Sequence, residues 1–155
     1  HEILGEEFKR HSIKRKYIAL VKGVLKHNHI TIDAPIGRDD VNRKKMMVTE
    51  KNSKSAITHV NVLKRYDEYT LVECILETGR THQIRVHMAY IGYPLWNDPV
   101  YGVEVIQEFG QFLHSSEIDF VEPITKEELH FEVPLPKTFQ DFLDSLEKRE
   151  EKEID

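Results

Sequence analysis

The stretch Glu77-Thr78-Gly79-Arg80-Thr81-His82-Gln83-Ile84-Arg85-Val86-His87-Met88-Ala89-Tyr90-Ile91-Gly92-Tyr93-Pro94 follows an apolar run, Tyr69 to Leu76, that reads as a buried strand. Gly79 marks a sharp turn. Thr81 has the side chain of a helix N-cap, and Gly92 and Pro94 are stop signals, so the segment predicts a strand, a turn and a helix. Two arginines then fall at the junction, Arg80 in the turn and Arg85 in the early helix. Cations at a helix N-terminus oppose the macrodipole. Their placement predicts an anion nearby, a carboxylate or a phosphate.

Around this segment the chain is 155 residues long, the size of one domain or a large part of one. Its apolar share is 39% and its charged share 32%, a globular composition with a well-solvated surface. No apolar run approaches the roughly 20 residues of a membrane span. The single cysteine, Cys74, lies within the strand-like run and reads as a buried, inert thiol. A disulfide framework is excluded, and a reducing, cytoplasmic setting is expected.

The net charge of −5 argues at first against a polyanion partner. Its distribution reverses this. Residues 117–155 carry 13 acidic and 5 basic side chains, whereas residues 1–116 carry 14 acidic and 17 basic. Basic clusters stand at Lys9-Arg10-His11, Lys14-Arg15-Lys16, Arg43-Lys44-Lys45 and Lys64-Arg65. One such run is usually a solvated face; several in one half modestly favour RNA or another polyanion.

Taken in order, His1 to Arg10 has the Ile3, Leu4, Phe8 spacing of a helix end. The chain enters this pattern without a lead-in, and a piece of something longer is expected. Lys14 to Leu25 alternates as a strand, with Tyr17 on the same parity as the small Ala19 and Gly23, leaving room beside its ring. Ile30 to Ile32 predicts a short strand. Asp33 to Asp40 predicts a turn or loop, Lys45 to Thr49 a strand, and Lys51 to Ser55 a polar turn. Ala56 to Arg65 and Tyr69 to Glu77 predict an antiparallel hairpin about Asp67-Glu68. The segment Leu95 to Gly102 predicts a compact loop with aromatic anchors, in which Asn97 can adopt a left-handed backbone and Asp98 is structural. Val105 to Leu113 is expected to make a helical turn. His114 to Phe120 and Glu128 to Val133 predict strands separated by a turn at 123–127. Thr138 is expected to cap a final helix with Phe139, Phe142, Leu143 and Leu146 on its buried face, and residues 147–155 to fray. The sum is an α+β fold with a largely antiparallel mixed sheet flanked by a few helices.

Several chemistries find no support. His82 and His87 are five residues apart and would leave a helix on different faces, and no HExxH or cysteine pair exists, so no metal site is expected. No GxSxG elbow is present, and Cys74 is mid-strand. What remains is an arginine-rich turn and helix, a tyrosine with space beside its ring, and a basic half. That combination suits a phosphate chain carrying a planar group, as in RNA.

The run Glu77 to Gly102 closely resembles the long C-terminal motif of RluA-type pseudouridine synthases, and Lys14 to Gly23 is similar to that family's tyrosine-bearing strand. Ala34 to Arg38, Lys54 to Thr58 and Phe112 to His114 support the match in the right order. The resemblance covers essentially the whole chain. It implies the pseudouridine synthase catalytic fold, here incomplete at the N-terminus. It also implies isomerisation of uridine in ribosomal or transfer RNA, with no cofactor and no metal. A monomer is expected. Tyr17 matches the tyrosine that stacks on the flipped base and helps remove its C5 proton. Arg85 matches the arginine that pairs with the catalytic aspartate, and Ile84 would pack beside the pocket. Arg80, His82, Lys14 and Lys16 are candidate RNA contacts, although for Arg80 and His82 a hydrogen bond that fixes the turn is the plainer alternative. Two departures stand out: Asn97 replaces a usual glycine, and the HRLDxxTSG-like motif that supplies the catalytic aspartate is absent. The resemblance therefore predicts that this chain holds the arginine and tyrosine of the site without its nucleophile. The rival readings are a non-catalytic RNA-binding module on the same scaffold and an interaction domain with no RNA role.

Overall fold

The computed structural model describes residues 14–102, 110–121 and 124–154. A six-stranded antiparallel sheet dominates them, in the order β2 (His29–Asp33), β6 (Ile57–Arg65), β7 (Tyr69–Leu76), β1 (Lys14–Lys22), β8 (Leu113–Val121), β9 (Glu128–Glu132). A second, three-stranded antiparallel sheet is ordered β4 (Met46–Val48), β3 (Ile36–Arg38), β5 (Ser53–Lys54). Helix α1 spans Gln83–Tyr90 and helix α2 spans Lys137–Ile154. The α+β class and antiparallel pairing match the sequence reading. The turn expected over residues 33–40 instead contains β3, and the polar turn at 51–55 contains β5. Both are strands too short to show an alternation, so their pairing comes from tertiary context.

The period-2 alternation of the central strands sorts the core into two layers. On β1, Ala19 and Val21 face one way and Leu20 the other. The first side buries Ala19, Val21, Val60, Val72, Cys74 and Leu76 with Ile84 and Met88 of α1. The second buries Leu20, Tyr69, Trp96 and Phe112 with Phe139, Leu143 and Leu146 of α2. The two helices therefore cover opposite faces of the sheet. Phe139, Leu143 and Leu146 follow the i, i+4, i+7 spacing expected of them, and full burial of each is worth about 1.5–3 kcal/mol. The small sheet packs on α1 through Ile36, Ala56 and Val86. Cys74 is buried, and desolvation pushes its thiol up to about 12, which keeps it protonated and inert.

Helix boundaries differ from the sequence reading in instructive ways. Helix α2 starts at Lys137, where the Pro136 carbonyl accepts the Gln140 N–H, so Thr138 lies inside the first turn rather than at its cap. Helical structure continues to Ile154, past Glu147, which Lys64 holds at 2.8 Å. Leu113 opens β8 instead of closing a helical turn; residues 105–109 of that prediction, like the helix end at 1–10, lie outside the described residues. At the end of α1, Gly92 (φ 90°) accepts the left-handed conformation, and the Tyr93 N–H reaches the Met88 carbonyl while the Gly92 N–H reaches Ala89. This is a Schellman stop, which the Gly92 signal anticipated.

Candidate active site

The turn into α1 is built by Gln83, not by Thr81. The N-cap is His82, at φ 57°, and no side chain caps the helix there. The left-handed residue is thus His82 rather than Gly79, a backbone strain of the kind that collects at functional sites. Gln83 Oε1 accepts the Arg80 N–H at 2.9 Å and the Thr78 hydroxyl at 2.8 Å. Its Nε2 donates to the Ile57 carbonyl at 3.0 Å and to Thr58 Oγ1 at 2.9 Å. The Thr58 hydroxyl in turn reaches His87 Nδ1 at 2.8 Å, and His87 Nε2–H donates to the Ala34 carbonyl at 2.8 Å. The glutamine, the first residue of the helix, thus reaches back to a backbone N–H of the turn that precedes it. One buried chain of hydrogen bonds therefore ties the turn to β6 and to the approach to β3.

This network holds His87 neutral. Its ring is fully buried, and desolvation lowers its pKa against the smaller opposing pull of the Ala34 carbonyl and Asp33. The unfolded chain takes up a proton near the ordinary value of 6.5 while the folded chain resists. The stability from His87 is present above that value and is lost as pH falls through the depressed folded pKa. The urea midpoint is therefore expected to fall between pH 7.5 and pH 5; a flat midpoint across that range would contradict a neutral buried His87.

Arg85 meets its anion inside the chain. Its Nε donates to Asp98 Oδ2 at 2.8 Å and its Nη2 to Asp98 Oδ1 at 2.8 Å, a bidentate pair. Asp98 is fully buried, and Oδ1 also accepts the Val100 N–H at 2.9 Å and the Tyr101 N–H at 3.1 Å. Burial alone would raise the Asp98 pKa, but the Arg85 hydrogen bond and the two backbone N–H groups win and lower it. Asp98 in turn raises the Arg85 pKa. The left-handed Asn97 (φ 60°), tied through Nδ2 to the Gly110 carbonyl, turns the loop so that Asp98 faces the helix. This accounts for a glycine being usual there in the resembled family. Gly102 is needed for the same loop, since a Cβ on it would sit 2.6 Å from the Asp98 carbonyl oxygen. The expectation that Arg85 awaits a carboxylate from elsewhere is thus corrected in part: one edge of its fork is already held. Its Nη1 makes no hydrogen bond among the described residues.

Beside this pair lies a recess of about 230 Å³ lined by Tyr17, Leu76, Arg80, His82, Gln83, Ile84, Arg85, Gln111 and Leu113. Five predicted site residues, Tyr17, Ile84, Arg85, Arg80 and His82, come together here from β1 and the turn into α1. A register shift between Lys16 and Tyr17 in the β1–β8 pairing leaves Ser116 as the extra residue, with its hydroxyl on the Lys16 carbonyl at 3.1 Å. Such bulges re-aim a neighbouring side chain. Arg80 Nε donates to the Ser55 carbonyl at 2.7 Å, so it fixes the turn as well as lining the recess. His82 does both too: its Nδ1 lies 2.9 Å from Tyr101 Oη. The Met46 N–H also donates to that oxygen, at 2.9 Å. Burial and then Arg85 lower the His82 pKa. The neutral form of the ring is thereby favoured. Tyr101, which sequence reasoning passed over, also lays its ring 5.1 Å from the Arg85 guanidinium carbon.

Lys16 is not brought to the recess: it pairs with Glu73 at 3.6 Å and Glu117 at 3.2 Å. Lys14 opens β1, opposite Asp119 in the backbone register of β1 and β8. The cluster Lys9-Arg10-His11 lies outside the described residues, and the other two are largely used internally. Lys64 holds Glu147, Arg65 donates to the Leu25 carbonyl and Asn28, Arg43 faces Asp40, and Lys45 lies over the Tyr101 ring. The grouping of metal-ligand types among the described residues, Glu117, His130 and Glu132, is on the β8–β9 edge, where Glu117 holds Lys16 and His130 holds Glu132.

The fold and this arrangement define a class. The family model for RNA pseudouridylate synthase matches residues 1–90, and the chain belongs to that family. Among its relatives is the uncharacterized RNA pseudouridine synthase YlyB of Bacillus subtilis, 49% identical over 149 residues that cover 96% of this chain and 49% of the relative. Ribosomal large subunit pseudouridine synthase D of Pseudomonas aeruginosa is 42% identical over 153 residues, covering 90% of this chain and 47% of that protein. The chain therefore spans about half the length of the curated relatives it matches. The structure of human RNA pseudouridylate synthase domain containing 1 superposes with a TM-score of 0.75 over 92% of this chain and 69% of its own, at 24% identity, and so shares the fold.

Proposed function

We propose that this chain carries the base-binding part of an RNA uridine-to-pseudouridine isomerase, acting on ribosomal or transfer RNA, and that a partner segment of the parent protein supplies the nucleophilic aspartate. The observation that carries this reading is the recess that places Tyr17, Ile84 and Arg85 together. Tyr17 offers a half-buried ring for a flipped base to stack on, and Leu76, Ile84 and Leu113 complete an apolar wall. The neutral His82 ring offers its Nε2 as a hydrogen-bonding group to the edge of a uracil. Arg85, cationic and clamped by Asp98, has Nη1 left for a second carboxylate, which it would keep ionised. The isomerisation breaks the N1–C1′ bond and forms C5–C1′. The C5 proton is lost and N1 gains one, so the balance requires no oxidant and no cofactor.

Asp98 is excluded as that nucleophile, because both its oxygens are engaged and it is fully buried. No aspartate among the described residues lines the recess. The test is tritium release from RNA labelled at uridine C5. The full parent is expected to release tritium and the 155-residue chain alone to release none. Turnover by this chain alone would overturn the divided site, and binding without turnover by the parent would favour the non-catalytic RNA-binding module.

A further inference from the structure

A second recess, of about 330 Å³, adjoins the first and shares Arg80 with it. Ile36, Gly37, Arg38, Met46, Asn52, Lys54, Gly79, Arg80 and Thr81 line it, between the small sheet and the turn into α1. Arg38 comes from β3, Lys54 from β5 and Arg80 from the turn. They are far apart in sequence, and none belongs to a basic run. Among the described residues, no acidic side chain lines the recess. The nearby acids are committed elsewhere: Asp39 accepts the Val41 and Asn42 N–H groups, and Asp40 faces Arg43 at 3.8 Å and Lys51 at 3.3 Å.

We propose that this recess binds a backbone phosphate of the RNA strand whose uridine occupies the Tyr17 recess, with Arg38, Lys54 and Arg80 as its ligands. The inference rests on the reading of the first recess as the base site and deepens it. Three cations around one hollow with no acid between them repel one another at low salt, and an anion relieves that repulsion. Arg38 is steadied by its Nη1 bond to the Arg43 carbonyl at 2.7 Å, and Arg80 by Ser55, so two of the three are already oriented. Lys54 is exposed and can swing as a point charge. Arg80 stands at the boundary of both recesses. A strand whose base enters the first must carry its sugar and phosphates across the Gly79-Arg80-Thr81 turn. The second recess is the adjoining hollow along that path, and its chemistry is that of a phosphate site. The site reads backbone and adds affinity, not sequence preference.

The experiment uses the full parent protein and a single-stranded RNA with one target uridine. Its phosphates are replaced one at a time by neutral methylphosphonates. In the unsubstituted protein, neutralising one phosphate close to the target is expected to weaken binding about tenfold. In the Arg38→Ala/Lys54→Ala double variant, overall binding should be weaker by a similar factor, and that position should no longer matter. The slope of log K against log salt should also become shallower, by up to about 0.7 for the one phosphate no longer neutralised. Turnover at saturating RNA should stay within about twofold, since neither residue lines the base recess. Lys54→Glu, at an exposed position, repeats the test without touching the Arg38 hydrogen bond. If the parent isomerises uridine but the variants match it in affinity, salt slope and phosphate profile, this inference alone falls. If the parent neither binds nor modifies RNA, the base-site reading falls and takes this one with it.

Discussion

Asp98→Ala is expected to destabilise the chain by about 3–5 kcal/mol, a large share of the roughly 5–15 kcal/mol that holds a domain folded. The substitution leaves the Arg85 guanidinium, only 10% exposed, without its carboxylate, and leaves the Val100 and Tyr101 N–H groups without theirs. Removing one partner of a buried pair costs more than the pair contributes, because the surviving charge is stranded. The double replacement Arg85→Met/Asp98→Leu strands no charge and should recover the part of the loss that the stranded guanidinium causes, while the Val100 and Tyr101 N–H groups stay without their acceptor. Urea unfolding of the three proteins measures both effects. A cost below about 1 kcal/mol for Asp98→Ala would show that the pair is not integral to the fold. The pH dependence has a matching sign. The folded Asp98 pKa lies below its ordinary value of 3.8, so its contribution is present above that value and lost as pH falls through the lower folded pKa.

That pair also marks where sequence reading stops. The junction of strand, turn and helix was legible because β7 is an apolar run and because Gly92 and Pro94 punctuate the end of the helix. The recess was legible because the resemblance carried Tyr17, Ile84 and Arg85 as a set. Asp98 was legible as a structural loop residue, and Asn97 as left-handed, yet their consequence was not. A side chain thirteen positions away reaches Arg85 only because the loop doubles back. The reach of that loop is a tertiary fact with no periodicity to announce it. Short elements failed for the same reason: β3 and β5 exist because a neighbour supplies their hydrogen bonds. Basic runs did not locate the cations that converge. Lys16, Lys64 and Arg65 stood out as clusters, and the structure engages them with Glu73, Glu117, Glu147 and backbone carbonyls. The cations that converge on one hollow, Arg38, Lys54 and Arg80, are scattered along the chain.

In the full parent, Arg85→Lys is expected to lower turnover by about 10²–10³-fold, the cost of losing an oriented charged donor at a reacting centre. Lysine keeps the charge but presents a point where arginine presents a fork. It can satisfy Asp98 or a second carboxylate from the base recess, but it cannot hold both in fixed directions. Because Asp98 is buried and still fixed by the Val100 and Tyr101 N–H groups, it would capture the ammonium, and the second carboxylate would lose its counter-charge. Single-turnover tritium release, at RNA concentrations that saturate binding, separates this from weaker binding. Arg85→Ala is a poorer experiment, since the stranded Asp98 would confound catalysis with folding. The Arg85→Met/Asp98→Leu variant supplies the clean comparison: it should fold, bind RNA through the phosphate recess, and form no pseudouridine. If that variant turned over uridine, Arg85 would be a piece of loop architecture and not a catalytic residue. If it folded and bound RNA but was inactive, with Arg85→Lys in between, the guanidinium would be serving two roles at once. One edge would fix the loop through Asp98, and the free Nη1 would serve the chemistry.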